Sequence, residues 1–305
     1  SLIMKYRLLL SFIFLLAIKN VAAQSTPSVV VSIKPIHSIV TSLMSGIAEP
    51  QLLLKSSNSA HTFHLKPSQV QMLTNADLVI IISGDFESGL RKAIKNIEDD
   101  SLFQIISLNN LSIHKSRSEI LKSKEHDDAD EHEENIYDLH LWLDINNMKL
   151  IAKHINNLLI KIDPVNEDKY NNNFLELMLD LEELKIDLEK EIAPFLASQF
   201  AVFSDTTQYF EKSMKLIRPI IITPYHGARL SIIRTLMAKE AMSDLSVSCL
   251  LYGQEAKPNQ ISVLSEGLSL KTFEIDILGV KYPAGPDQYF NLMKRISSQL
   301  ASCLK

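Results

Sequence analysis

Two histidine-bearing segments, SAHTFHLKPSQ at Ser59 to Gln69 and DLHLWLD at Asp138 to Asp144, hold the residue types that bind divalent metals. Neutral imidazole and carboxylate are ligands for zinc and manganese, and they must be held rigidly because the bonds are only about 2 Å long. His61 and His64 stand three residues apart, just ahead of Lys66-Pro67-Ser68, in a loop that enters a helix. His140 lies between Leu139 and Leu141-Trp142-Leu143, where burial is expected. A buried imidazole needs a partner, and a metal or a backbone hydrogen bond would each serve. Between the two segments runs KEHDDADEHEEN, Lys124 to Asn135, with His126 and His132 among seven carboxylates. Such charge density reads as a solvated acidic loop.

Residues this far apart meet only if the fold brings them together. Short β-branched runs at Ser28 to Ile33, Gln51 to Leu54, Leu78 to Ile82 and Gln104 to Ser107 alternate with helical patterns at Ile36 to Met44 and Pro67 to Asn75. The alternation returns after Pro194, with strands at Phe200 to Phe203, Pro219 to Thr223, Val247 to Leu251 and Phe273 to Ile277 and helices at Ser231 to Met242 and Gln288 to Ala301. Alternating strands and helices predict βαβ units on a largely parallel sheet, hence two α/β lobes. Between them Tyr170, Phe174, Leu177, Leu181, Leu184 and Leu188 repeat at spacings of four and three, the stripe of an amphipathic helix. Asp163-Pro164 supplies its start and Pro194 its exit, for a helix of about 28 residues. A second helix, Met148 to Ile162, carries His154 beside its apolar face, as a boundary residue rather than a ligand. The expected domains are therefore 24–162, a linking helix at 163–193, and 194–305.

The amino-terminal segment joins Lys5 and Arg7 to the apolar run Leu8 to Ile18 and ends in Val21-Ala22-Ala23. That is the pattern of a secretory signal peptide over residues 1–23, and its apolar run is shorter than the roughly 20 residues that span a bilayer. Neither cysteine lies near the expected cleavage site, so no lipid-anchor cysteine is expected there, and a periplasmic location follows. A net charge of −5 argues against nucleic acid as a partner. At 46% hydrophobic and 22% charged residues, the composition is that of an ordinary globular protein. Cys249 and Cys303, an even pair in an oxidising compartment, are expected to form a disulfide.

Several stretches together, VSIKPIHSIVTSLMSG, SAHTFHLKPSQVQMLTNADLVI, DLHLWLD, QYFEK at Gln208 to Lys212 and the terminal ASCLK, resemble the substrate-binding proteins of zinc-uptake ABC transporters over nearly the whole mature chain. The resemblance implies two α/β lobes bridged by a long, rigid helix, one metal in the cleft, and delivery to a membrane permease by a monomeric carrier. It places ligands at His61 and His140. The third family ligand is a histidine in a V-F-H-D segment, which here reads Val202-Phe203-Ser204-Asp205. The acidic position used by manganese-binding relatives falls on Asp276. A water with Asp276 ranks first as the replacement and His226 second, while Asp205 turning inward and His64 are further candidates. Zinc-uptake relatives also carry a longer His- and acid-rich loop, which makes His126 and His132 a sparse metal-collecting segment.

Zn2+ is the expected cargo, with Mn2+ as the alternative. No enzyme is expected: H-E-x-x-H and G-x-S-x-G are absent, leaving a metallohydrolase as a remote reading. An exported interaction protein or adhesin with this fold and a weakened metal site is the other alternative, and Ser204 motivates it.

Overall fold

A computed structural model of the chain describes residues 26–54, 63–117, 137–223 and 230–305. The expected signal peptide, His61, the acidic segment with His126 and His132, and His226 lie outside the described residues.

The first half builds a four-stranded sheet from β1 (Val29–Val31), β2 (Gln51–Leu52), β3 (Leu78–Ile81) and β4 (Leu102–Gln104), in the order β2-β1-β3-β4 with every pairing parallel. Between these strands lie α1 (Lys34–Leu43), α2 (Pro67–Thr74) and the short α3 (Arg91–Ile94). A two-stranded antiparallel ribbon follows, β5 (His114–Lys115) with β6 (Tyr137–Asp138). Next come α4 (Ile145–Ile162) and α5 (Glu167–Ile192). The second sheet joins β7 (Ala201–Ser204), β8 (Ile220–Thr223), β9 (Cys249–Tyr252) and β10 (Lys271–Glu274), again all parallel, in the order β10-β9-β7-β8. Its helices are α6 (Gln208–Ser213), α7 (Ile232–Asp244), α8 (Pro258–Ser265) and the terminal α9 (Gln288–Leu304). Two parallel α/β lobes result, as the alternation predicts.

Side chains alternate across each sheet because strand residues point to opposite faces. Val29, Val31, Leu78 and Ile80 enter one core, while Val30, Val79 and Ile81 enter another on the far side. In the second sheet Val202, Ile221 and Leu251 join the same central core, and Ala201, Phe203, Ile220 and Ile222 face outward into a separate cluster. One apolar core therefore runs from sheet to sheet. Helices α1, α4, α5 and α9 fill it: α5 buries Tyr170, Leu177, Leu181, Leu184, Leu188 and Ile192 along the predicted stripe. At 1.5 Å per residue its 26 residues span about 39 Å. The Asn173 amide donates to the Leu43 and Ser45 carbonyls at 2.8 and 2.9 Å, closing the otherwise unpaired end of α1. The Cys249–Cys303 disulfide ties α9 to β9.

Several element boundaries differ from expectation. The strand expected at Gln104 to Ser107 pairs two residues earlier, and Ile105–Ser107 forms a 3-10 turn. Its partner β3 ends at Ile81, so the ladder stops, with Ile106 N donating to Ile82 O as the last contact. Asp163 does not cap the long helix: Pro164–Asn166 is a 3-10 turn, and the Asp163 carboxylate accepts from Asn166 Nδ2 and the Tyr170 hydroxyl. The strand expected at Phe273 to Ile277 occupies Lys271–Glu274 instead.

The helix starts repeat between lobes. Lys66-Pro67-Ser68-Gln69 opens α2 and Lys257-Pro258-Asn259-Gln260 opens α8. In both, the glutamine Oε1 accepts the lysine backbone N–H at 2.9 Å, reaching back to an otherwise unpaired donor.

Candidate metal centre

The segment around His140 leaves β6 and enters a 3-10 turn at Leu141–Leu143. His140 is 8% exposed, and its imidazole packs edge-on against Phe86 and Trp142 at centroid distances of 5.9 and 5.4 Å. Its Nδ1 lies 2.7 Å from Asp138 Oδ1, which also accepts the His140 backbone N–H at 3.0 Å. A carboxylate on Nδ1 places the proton there and turns the Nε2 lone pair outward, the arrangement that makes a histidine a better metal ligand. Burial alone pushes the Asp138 carboxyl up, yet His140, with help from Gln208, outweighs it and holds the group below the usual carboxylate range. The structural alternative, a bond from the ring to backbone, is therefore replaced by a side-chain partner that sequence reading passed over. The signal was Asp138 two residues before His140.

Residues of the second lobe grip this turn. Gln208 Nε2 donates to Asp138 Oδ2 at 3.3 Å and to Lys115 O at 3.0 Å, and the Tyr209 hydroxyl donates to Asp138 O at 2.7 Å. Trp142 Nε1 donates to Ile277 O at 2.8 Å, so the Asp276–Leu278 segment meets the His140 turn. Lys34 Nζ donates to the carbonyls of Val280 and Tyr282, both at 2.8 Å. Gly279, with φ +62°, makes the bend possible, since a Cβ there would meet Gln288 Nε2 at 2.4 Å. Three strand ends, β6, β7 and β10, thus converge at the seam between lobes.

The predicted ligands divide at this seam. Asp276 is half-buried, with Oδ1 accepting from Leu278 N at 3.2 Å and Oδ2 from Lys281 N at 3.3 Å. Ser204 is buried at the end of β7, and its hydroxyl lies 3.1 Å from Thr223 Oγ1. Asp205 is not turned toward a vacant position: Arg117 donates to it from the backbone N–H at 2.9 Å and from Nη2 at 2.5 Å. Arg117 Nη1 also reaches Glu211 Oε2 at 2.6 Å. His64 is exposed. Among the described residues no group of three or more His, Cys, Asp or Glu side chains is close enough to hold a metal. His154 is a boundary residue, its ring 4.6 Å from that of Phe103. Sequence reading gave no role to Arg117 and took Gln208 and Tyr209 only as part of the QYFEK segment, because their partners lie 70 or more positions away.

Two parallel α/β lobes joined through one long helix, with a carboxylate-oriented imidazole at their seam, define a metal-type periplasmic binding protein. A crystal structure of ZnuA superposes with a TM-score of 0.76 at 19% identity, over 92% of this chain and 100% of that one. The binding protein FpvC from Pseudomonas aeruginosa, in complex with Mn2+, does so with a TM-score of 0.76 at 15% identity, over 92% and 99%. In sequence, the high-affinity zinc uptake system protein ZnuA of Brucella abortus (strain 2308) is 27% identical over 312 aligned positions, 90% of this chain and 91% of that protein. The chain belongs to the ZnuA family, zinc-uptake complex component A, periplasmic, which matches residues 29–303.

Proposed function

We propose that this protein captures Zn2+ in the periplasm, at the seam between its lobes, and hands it to the membrane permease of an ABC importer. The carrying observation is the His140 imidazole, buried and oriented by Asp138 so that Nε2 is left to coordinate. His61 and Asp276 complete the proposed set, with a water at the position of Ser204, while His226 and His64 remain secondary candidates. His126 and His132 would collect metal weakly beside the site. The mature chain divides into a lobe at 24–162, the linking helix at 163–193 and a lobe at 194–305, following removal of residues 1–23.

Capture makes and breaks no covalent bond, so no catalytic residue is assigned. The ion is chosen by ligand type: two imidazoles favour zinc, and the Asp276 carboxylate keeps Mn2+ within reach. The shared core and the bonds from Lys34 and Trp142 limit any hinge motion to small adjustments. The Ser204–Thr223 contact favours a second reading, a weakened site on an exported adhesin. Isothermal titration of the mature protein with Zn2+ and Mn2+ separates the two. Saturable one-to-one binding, weakened at least tenfold by His61→Ala or His140→Ala, is expected. Absence of saturable binding at micromolar metal would overturn the importer reading.

A further inference from the structure

A single hydrogen bond at Nδ1 restrains an imidazole but tolerates a tilted ring, because such bonds weaken steeply only below about 120°. Asp138 therefore holds one edge of His140 without fixing the ring plane. Two neighbouring rings do that. Phe86 lies 5.9 Å from the His140 ring at 88° and Trp142 lies 5.4 Å from it at 65°, while Phe86 and Trp142 stand 5.4 Å apart at 73°. Each pair meets edge to face, an arrangement aromatic rings favour. Trp142 is anchored by its bond to Ile277 O. Phe86 is buried in the turn that follows β3, and several bonds hold that turn. The Ser83 hydroxyl accepts from Asp85 N at 3.2 Å and from Phe86 N at 3.0 Å. Beside Phe86, the Glu87 carboxylate spans the ends of two strands. Its Oε1 accepts from Ser32 Oγ, just past β1, and from Ile82 N at 3.0 Å, while Oε2 accepts from Ser83 N at 3.0 Å. Two residues further on, Gly89 approaches Phe63 so closely that a Cβ would meet Phe63 O at 2.2 Å. The Phe86 ring cannot retreat from His140 without breaking these contacts.

We propose that Phe86 is a positioning residue of the metal site: its ring fixes the plane of the His140 imidazole, and so the direction of the Nε2 lone pair, with Glu87 as the anchor of its turn. This rests on the reading of His140 as a ligand. The Nε2 lone pair lies in the ring plane, so a tilted ring aims it away from the ion. A ring already held in the binding orientation gives up no freedom on coordination, which strengthens binding without adding a contact to the metal. A buried carboxylate such as Glu87 is costly unless its oxygens are bonded, and here they are bonded to the strand ends that carry the turn.

The same core supplies a matched control. Phe103 is also buried against a histidine, its ring 4.6 Å from that of His154, which is not a proposed ligand. Phe86→Leu and Phe103→Leu each remove one ring from that core, so a role in stability alone would affect metal binding equally in both. The mature proteins are titrated with Zn2+, and their visible spectra are recorded with Co2+, whose absorption reports the geometry of its ligands. Phe86→Leu should weaken zinc binding about tenfold, as loss of an orienting partner does, and should change the Co2+ spectrum. Phe103→Leu should change neither. A Phe86→Leu isotherm and spectrum like the wild type's, or equal losses in the two variants, overturn the proposal. If Phe86→Leu does not fold, Glu87→Gln supplies the contrast. An amide has one acceptor oxygen where the carboxylate has two, so the N–H of Ile82 or of Ser83 loses its partner, the turn loosens, and a loss of about threefold in zinc affinity is expected. Unchanged zinc affinity in that variant overturns the proposal as well. His140→Ala tests the underlying reading separately: if it abolishes binding while Phe86→Leu does nothing, His140 stands as a ligand and Phe86 has no part in placing it.

Discussion

The turn at 138–140 and the strand end at 204–211 each bury an aspartate beside a proposed ligand position, and the two aspartates are used differently. Asp138 takes Nδ1 of His140 and so leaves the Nε2 lone pair unused by the protonated edge of the ring. Asp205 takes Arg117 and so carries its countercharge permanently within the protein. Glu87 is a third case, fully buried with neither imidazole nor guanidinium: it accepts from Ser32 Oγ and from the backbone N–H groups of Ile82 and Ser83. Burial lifts its carboxyl to about 7 although those donors pull the other way. A buried carboxylate is thus a positioning device, a fixed countercharge or a proton-binding group according to the partner the fold supplies.

The largest expected effect breaks the second region. Arg117→Met leaves Asp205 and Glu211 buried without a cation, and losing one partner of such a cluster costs about 3–5 kcal/mol. Urea denaturation of the metal-free protein checks this, and a loss below about 1 kcal/mol would mean the two carboxylates find other partners. Next comes Glu87. Its folded value exceeds the ordinary 4.5, so the folded state binds the extra proton between those pH values and stability falls as pH rises from about 4.5 to about 7. The contribution is on the order of 3 kcal/mol, present at low pH and lost above about 7. Denaturation midpoints between pH 5 and 8 should carry this slope in the wild type, and Glu87→Gln should flatten it.

How much of this was legible in sequence depends on whether a feature is periodic or pairwise. The α5 stripe could be read because a helix repeats its buried face, and Leu177, Leu181, Leu184 and Leu188 are buried as that repeat requires. The disulfide could be read because two cysteines allow one pairing. The β5–β6 ribbon could not: its strands are two residues long and their partners, His114 with Asp138, lie across the acidic segment. Nor could the role of Asp205, since Arg117 stands 88 positions away and an aspartate looks the same whether it serves a metal or a guanidinium. The second Lys-Pro-x-Gln start, at Lys257, opens a helix that the sequence analysis does not predict, although its local hydrogen bond repeats the one at Lys66; the two stand at different steps of the strand order, α2 before the third strand of its lobe and α8 before the fourth.

A smaller effect probes the first region. Asp138→Asn keeps the shape but removes the charge that holds the proton on Nδ1, and loss of such an orienting partner weakens metal binding about 10–100-fold. Zinc titration checks it, and an unchanged affinity would show that Gln208 and Tyr209 position the turn without help from the charge.

The smallest change asks whether the two regions face one ion. Ser204→His places at the end of β7 the imidazole that the resemblance to zinc-uptake proteins implies there, and Thr223 keeps its bond to Phe203 O at 2.6 Å, so the serine's partner is not stranded. Zinc affinity should rise about tenfold, roughly 1.4 kcal/mol. Ser204→Ala is the companion, removing only the hydroxyl. If its zinc isotherm matches the wild type while the histidine variant gains, the end of β7 faces the ion and the hydroxyl is not a ligand. If neither variant differs from the wild type, the end of β7 points away from the metal, and His140 must share the ion with residues from other elements.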